Sequence, residues 1–222
     1  MKKINWSYAL GEIALIFIGI TLAIAFQNWN ENRKQNNLER SVLQQLEVAL
    51  NNDLEDVRVN INTHQRGITA CNNVLKMLHA KEPIDEQKML ANLGQSVDFT
   101  FLISDVSTYE YLKSVGLHII KNDTLRNRIT KLYDVAYEGI YGVENNAKPV
   151  QLKIVENLRK YFTSDTTFFR ARKGLQKAKK DEDLKFDVRN LEYAHNNMIN
   201  KYKKKVLPEL EAVLEAVRLE LE

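Results

Sequence analysis

Apolar positions in this chain follow two different rules. Residues 13–26, Ile-Ala-Leu-Ile-Phe-Ile-Gly-Ile-Thr-Leu-Ala-Ile-Ala-Phe, form one run with no charge in it. Further on, apolar residues recur at steps of three and four: Leu43, Leu46, Leu50, Leu54, Val57, Ile61, Ile68, Cys71, Leu75 and Leu78, with His64 in the same line. A run apolar on every side predicts a helix in a uniformly apolar medium; a stripe predicts a helix with one face on a core. The stripe continues for about 35 residues, roughly 50 Å of helix, and needs a partner of similar length. Lys81-Glu82-Pro83 ends it.

The first run alone is short for a bilayer, but its flanks lengthen it. Tyr8-Ala9-Leu10-Gly11 precedes it, interrupted only by Glu12. The two tryptophans of the chain, Trp6 and Trp29, bracket it. On a helix they lie roughly 34 Å apart, close to the separation of the two headgroup layers where indole rings settle. The expectation is a transmembrane helix over about residues 6–28, with Lys2 and Lys3 outside one end and Arg33 and Lys34 outside the other. Two alternatives remain open. A cleaved signal peptide would account for the basic start and for Ala23-Ile24-Ala25 ahead of Phe26; a buried core helix would account for apolarity alone. Glu12, Gly19, Ala23, Phe26 and Asn30 share one helical face. Gly19 and Ala23 on it make a small-xxx-small pair that lets a second helix approach. Basic residues flank both ends almost equally. A short basic tail before a single hydrophobic segment usually stays inside, which favours an external or periplasmic main domain.

Gln27 to Asn37 is polar and Asn-rich, so a helix break is possible there. Downstream, a short helix is predicted at 85–93 before Gly94. Phe99 to Ile103 is apolar but too short to assign. Ser107-Thr108-Tyr109-Glu110 reads as a capping box opening a helix that stops at Gly116. Leu125, Ile129, Leu132, Ala136, Ile140 and Val143 mark a helix over 123–146, and Pro149 is placed to start another reaching Phe162. Residues 163–185 read as a loop with a helical piece. Val188, Leu191, Met198, Tyr202, Val206, Leu210, Val213, Val217 and Leu221 form a second long stripe, which Pro208 should kink. No internal repeat and no alternating strand pattern stands out. The predicted fold is all-α: one amino-terminal transmembrane helix (domain 1–30) followed by an antiparallel helical bundle with two long helices (domain 31–222).

Composition agrees. The chain has 222 residues with only 8 Gly and 3 Pro, too few for a many-turned β architecture. Lys plus Arg is 32 against 29 Asp plus Glu, a net charge of +3 that argues against a dedicated nucleic-acid binder. One cysteine excludes an internal disulfide framework.

Two stretches resemble a known family. Tyr8-Ala9-Leu10-Gly11-Glu12-Ile13 with Gly19, Ala23 and Asn28-Trp29-Asn30-Glu31-Asn32-Arg33-Lys34 is the first; Thr108-Tyr109-Glu110-Tyr111-Leu112-Lys113-Ser114-Val115-Gly116, followed by Leu125 and Leu132-Tyr133, is the second. Together they resemble a family of small membrane-anchored, all-helical proteins, found chiefly in Bacteroidota and classed as a domain of unknown function. The resemblance implies one amino-terminal transmembrane helix and a helical domain, and it implies no activity.

The chemistry-bearing residues assemble no familiar site. The four histidines, His64, His79, His118 and His195, include no i, i+4 pair. His64 and Cys71 lie in the long apolar seam and read as core residues. No glycine-rich phosphate loop and no nucleophile elbow is present. Tyr133, Tyr137 and Tyr141 recur every fourth residue, a ladder that packs on a neighbouring helix or lines a partner groove. Arg170 to Lys180 is basic and followed by Asp181-Glu182-Asp183; a solvated face is its plain reading, and contact with anionic lipid the alternative. The expected role is therefore non-enzymatic: a membrane-tethered interaction, scaffold or sensor module without a cofactor. Its expected partners are the lipid bilayer and either a second copy or another membrane protein. The alternatives are an enzyme whose site forms between bundle helices and a secreted helical protein cleaved after Ala25.

Overall fold

A computed structural model describes residues 6–164, 169–171 and 174–222, without the side chains of residues 6–9, 13, 164 and 169–171. Lys2 and Lys3, the Trp6 ring and the basic side chains of Arg170, Arg172 and Lys173 lie outside the described residues.

The chain is helical almost throughout. α1 spans Trp6–His79, 74 residues without a break, a rod of about 110 Å. The Asn-rich stretch at 27–37 does not interrupt it. α2 (Glu86–Ser96) and α3 (Ser107–Val115) follow, joined by an extended strap over residues 97–106. α4 (Asp123–Lys131) passes through a π-helical turn at Leu132–Tyr137 into α5 (Glu138–Leu158). A two-stranded antiparallel hairpin, β1 (Phe162–Ser164) with β2 (Phe169–Ala171), and a 3-10 turn at Leu175–Lys180 lead to α6 (Glu182–Lys201). A second π turn, Tyr202–Val206, connects α6 to α7 (Leu207–Leu221). Asn122 and Asp181 cap α4 and α6, each carboxyl or amide oxygen accepting from the backbone of the first turn.

Three rods therefore make the bundle: α1 from Val42 onward, α4–α5 parallel to it, and α6–α7 antiparallel. α2, α3 and the strap cover the fourth side. The base holds Arg218 of α7 donating to Glu47 of α1 at 2.9 Å, and the Lys121 amide donating to Glu39 at 2.7 Å. At the far end the Lys179 ammonium donates to the Ala80 carbonyl at 2.9 Å.

Several expected boundaries move. The capping box at Ser107 does not form, because Ser107 is already inside the helix. Its hydroxyl donates to Asp105 Oδ1 at 2.5 Å, while Glu110 pairs with Lys113 at 3.2 Å. Pro149 starts no helix; it lies within α5, leaving one carbonyl of the preceding turn without its amide. Pro208 follows a π turn at the start of α7, where the missing N–H matters least. Gly116 does end α3, with φ +108°, a conformation only glycine adopts at ease.

The inward face of α1 is a strict heptad seam. Leu43, Leu50, Val57, His64, Cys71 and Leu78 form one buried line, and Leu46, Asp53, Asn60, Gly67 and Val74 form the other. That is knobs-into-holes spacing for long helices crossing at a shallow angle. It also splits the interior. One apolar cluster gathers Leu43, Leu46 and Leu50 with Leu112, Ile129, Val206 and Leu210; another gathers Cys71, Val74 and Leu78 with Met89, Ile154, Val188 and Leu191. Asp53, Asn60 and His64 interrupt the seam between them.

Candidate functional site

The interior between the two clusters is a polar belt that clasps the strap. Asp53 is fully buried and accepts the Asp105 amide at 2.8 Å and the Tyr137 hydroxyl at 2.7 Å. Asp56, one turn on, accepts the Ile103 amide at 3.1 Å and an Asn60 amide hydrogen at 2.9 Å. From α5, Glu144 accepts the Leu102 amide and the Tyr202 hydroxyl, both at 2.8 Å. Three carboxylates thus take three strap amides at 102, 103 and 105. An extended segment packed on a bundle has no neighbouring strand, and these side chains supply its missing backbone partners.

The end of α2 and the first half of the strap are held through their carbonyls. His64 Nε2 lies 3.0 Å from the Thr100 carbonyl oxygen, and His195 Nε2 lies 2.9 Å from that of Ser96. The two rings meet at Nδ1, 2.9 Å apart. Phe99 stacks on His195 with ring centres 4.0 Å apart. Gly67 makes this possible: a Cβ there would sit 2.4–2.8 Å from the His195 ring.

Burial governs the charges. It raises the Asp53 carboxyl from 3.8 to about 6, against the pull of the Tyr137 and Asp105 hydrogen bonds, and raises Glu144 as well. Burial and the neighbouring His195 lower His64 to about 4, and burial lowers His195 too. The Cys71 thiol is pushed up to about 12 by burial and by Glu192, which leaves it an unreactive hydrophobe. Among the described residues, no three His, Cys, Asp or Glu side chains are arranged to hold a metal ion.

The tyrosine ladder turns inward over most of its length. Tyr133 and Tyr137 are buried, and Tyr141 is partly exposed. Tyr133 stacks flat on Tyr109 with centroids 4.4 Å apart, and Tyr141 meets Ser104 of the strap at 2.5 Å. The two π turns explain the inward aim. Widening a turn shifts the register of side chains, and the facing π turns bring Tyr137 and Tyr202 to Asp53 and Glu144. The open grooves lie elsewhere. One of about 520 Å³ runs between α5 and α6 beside Asn146, Asn190, Tyr193 and Asn197.

The residues expected to anchor the chain stand apart from this belt. Glu12, Gly19, Ala23 and Trp29 are all exposed on the bare portion of α1, and nothing lies within 4 Å of where a Gly19 Cβ would be. Trp29 packs on Phe26 at 5.7 Å, with the Arg33 guanidinium 5.9 Å from its ring centre. Trp6 lies in α1, its ring outside the described residues.

Asp53, Asn60, Gly67, Glu144 and the His64–His195 pair are not legible from apolar periodicity, which follows Leu54, Ile61 and Ile68 instead. The signal for Asp53, Asn60 and Gly67 was the second heptad line, where Leu46 and Val74 frame Asp-Asn-Gly at seven-residue intervals; Glu144 and His195 stand on other helices and left no such trace.

No curated protein and no solved structure matches this chain. A family model does match, over residues 12–177, which takes in most of the exposed portion of α1, the whole strap and both tyrosines of the first π turn, 133 and 137; the chain belongs to that family, described as Family of unknown function (DUF6090).

Proposed function

We propose that the chain is a single-pass membrane protein whose helical bundle is a tethered interaction or sensor module, joined to its anchor by one continuous helix. The observation that carries this reading is the contrast along α1. An 18-residue window near its start has a mean hydropathy of 2.0 and none of it is buried. Leu15, Ile16, Phe17, Ile18, Leu22 and Phe26 are each more than half exposed. Contiguous apolar surface on that scale is a membrane or partner face, and a helix apolar all round suits lipid.

From Trp29 to Val42 the helix continues for about 20 Å before its first fully buried side chain. A stalk with no loop transmits a tilt or rotation of the anchor to the bundle. The exposed Gly19–Ala23 face supports a second copy or another membrane helix as the partner within the bilayer. The basic tail supports a bundle outside the cytoplasm.

Alkaline carbonate extraction of membranes carrying the intact chain tests the anchor. The chain is expected to stay in the pellet and to leave only with detergent; release into carbonate would contradict the reading. A reporter fused after Glu222 tests the side. Gly19→Ile with Ala23→Ile should lower the oligomer mass in detergent, and an unchanged mass would remove that face as the contact.

A further inference from the structure

The two buried histidines pose a problem of hydrogen count. Both Nε2 atoms face backbone carbonyl oxygens, at 3.0 Å (Thr100) and 2.9 Å (Ser96). A carbonyl only accepts, so each Nε2 must carry a hydrogen. A neutral imidazole has one N–H in all. Both Nδ1 atoms are then bare lone pairs, yet they lie 2.9 Å apart. Neutral rings must either oppose two lone pairs or give up one carbonyl bond by moving its hydrogen to Nδ1. One added proton removes the conflict, because a charged ring donates from Nδ1 and Nε2 together.

We propose that His64 and His195 form a single-proton site, one proton shared between the two Nδ1 atoms, and that its occupancy sets how firmly residues 96–100 are held to α1 and α6. The surroundings assign the proton to His195. Asp98 of the strap favours the charged form of His195, and the Phe99 ring face stacks on it. Charging His64 next is opposed by His195 itself. Tyr202 stacks on His64 from the turn after α6, its hydroxyl committed to Glu144 of α5. Cys71 of α1, about two turns beyond His64, and Glu192 of α6, one turn before His195, act on each other, and α2 presents the Ser96 carbonyl. Burial keeps proton uptake on the acidic side of an ordinary histidine. Acid then completes both carbonyl bonds, and neutral pH loosens one of them. The carboxylates hold the strap at 102–105 in either state, so the change is confined to its first half. This inference does not depend on the membrane reading.

The test is nitrogen NMR of the intact chain in detergent, labelled with ¹⁵N-histidine, from pH 8 to 4. The expected result is one shared transition: His195 becomes protonated on both nitrogens while His64 stays neutral, its hydrogen on Nε2 and its Nδ1 accepting. His64→Gln should shift or abolish the His195 transition. Amide exchange over Asp98–Phe101, corrected for intrinsic pH dependence, should slow about fivefold as the proton binds, the effect of one net hydrogen bond, while the Leu102 amide held by Glu144 shows no step at that transition. Two rings titrating independently to doubly protonated forms, a His195 that stays neutral throughout, or strap exchange indifferent to the transition would each overturn the proposal.

Discussion

Residues 10–29 and 42–78 belong to the same helix and meet opposite surroundings. The first portion carries Leu, Ile and Phe on every side, and none of its described side chains is buried. The second buries two heptad lines and exposes Glu55, Arg58, Gln65 and Arg66 between them. A helix in water is stabilised chiefly by the apolar face it buries. The bundle half of α1 meets that condition, whereas the first half meets it only if something other than this chain covers it. The second lesson is that the buried half is not uniformly apolar. At Asp53, Asn60, His64 and Gly67 the seam exchanges packing for the capacity to hold a loopless strap.

The sharpest way to break the comparison is to make the same truncation in both halves. Leu46→Ala removes a fully buried side chain and should lower unfolding free energy by about 2–5 kcal/mol. Ile24→Ala, at an exposed position of the first portion, should leave bundle unfolding within about 0.5 kcal/mol. Urea titration of the intact chain in detergent, followed by circular dichroism, measures both. Equal losses would mean that residues 10–29 pack on the bundle.

The belt has a pH signature. A carboxyl raised from 3.8 to about 6, as Asp53 is, binds its proton more tightly folded than unfolded. Its contribution is present at low pH and is lost as pH rises from about 4 to 6, worth about 3 kcal/mol; Glu144 acts in the same direction. His64, lowered from 6.5 to about 4, does the reverse: the unfolded chain binds its proton first, so stability rises from pH 4 to 6.5. The opposing slopes flatten the wild-type profile. Asp53→Asn keeps a partner for Tyr137 and for the Asp105 amide but removes the falling contribution. Its unfolding free energy should therefore rise more steeply with pH across 4–6.5 than that of the wild type. Parallel profiles would show that Asp53 does not titrate in this range.

Gly67→Ala sharpens the comparison from the packing side. Alanine is the better helix former by about 1 kcal/mol. Its methyl would nevertheless press on the His195 ring from 2.4–2.8 Å, so a net loss of about 1–3 kcal/mol is expected from overpacking. Gly11→Ala and Gly19→Ala, where nothing lies within 4 Å, should show no such loss. Smallest of all is Arg218→Ala at the base of the bundle. Its pair with Glu47 is half exposed, and its removal should cost less than about 1 kcal/mol.

These contrasts also mark what could be read from the amino acids alone. The apolar run at 13–26, the stop at Pro83 and the two long stripes all declared themselves, because burial and breakers leave periodic traces. The strap did not: Phe99 to Ile103 has no period, and its partners are carboxylates and imidazoles from three distant helices. The π turns were equally hidden, since nothing in Leu132–Tyr137 differs locally from ordinary helix. Pro149 misled for the same reason, because tertiary packing of α5 outweighs one lost backbone bond.

The central claim is that lipid surrounds the first half of α1 while the second half packs in the bundle. Single cysteines placed at successive positions from 10 to 50 and spin-labelled report it directly, since native Cys71 is buried and its thiol is held un-ionised. In bilayers, collision with oxygen should exceed collision with a water-soluble nickel reagent at every position from 10 to about 28. The order should reverse over 30–38, and a heptad pattern of protected sites should begin near Val42. Access by the nickel reagent throughout 10–28 would contradict the account.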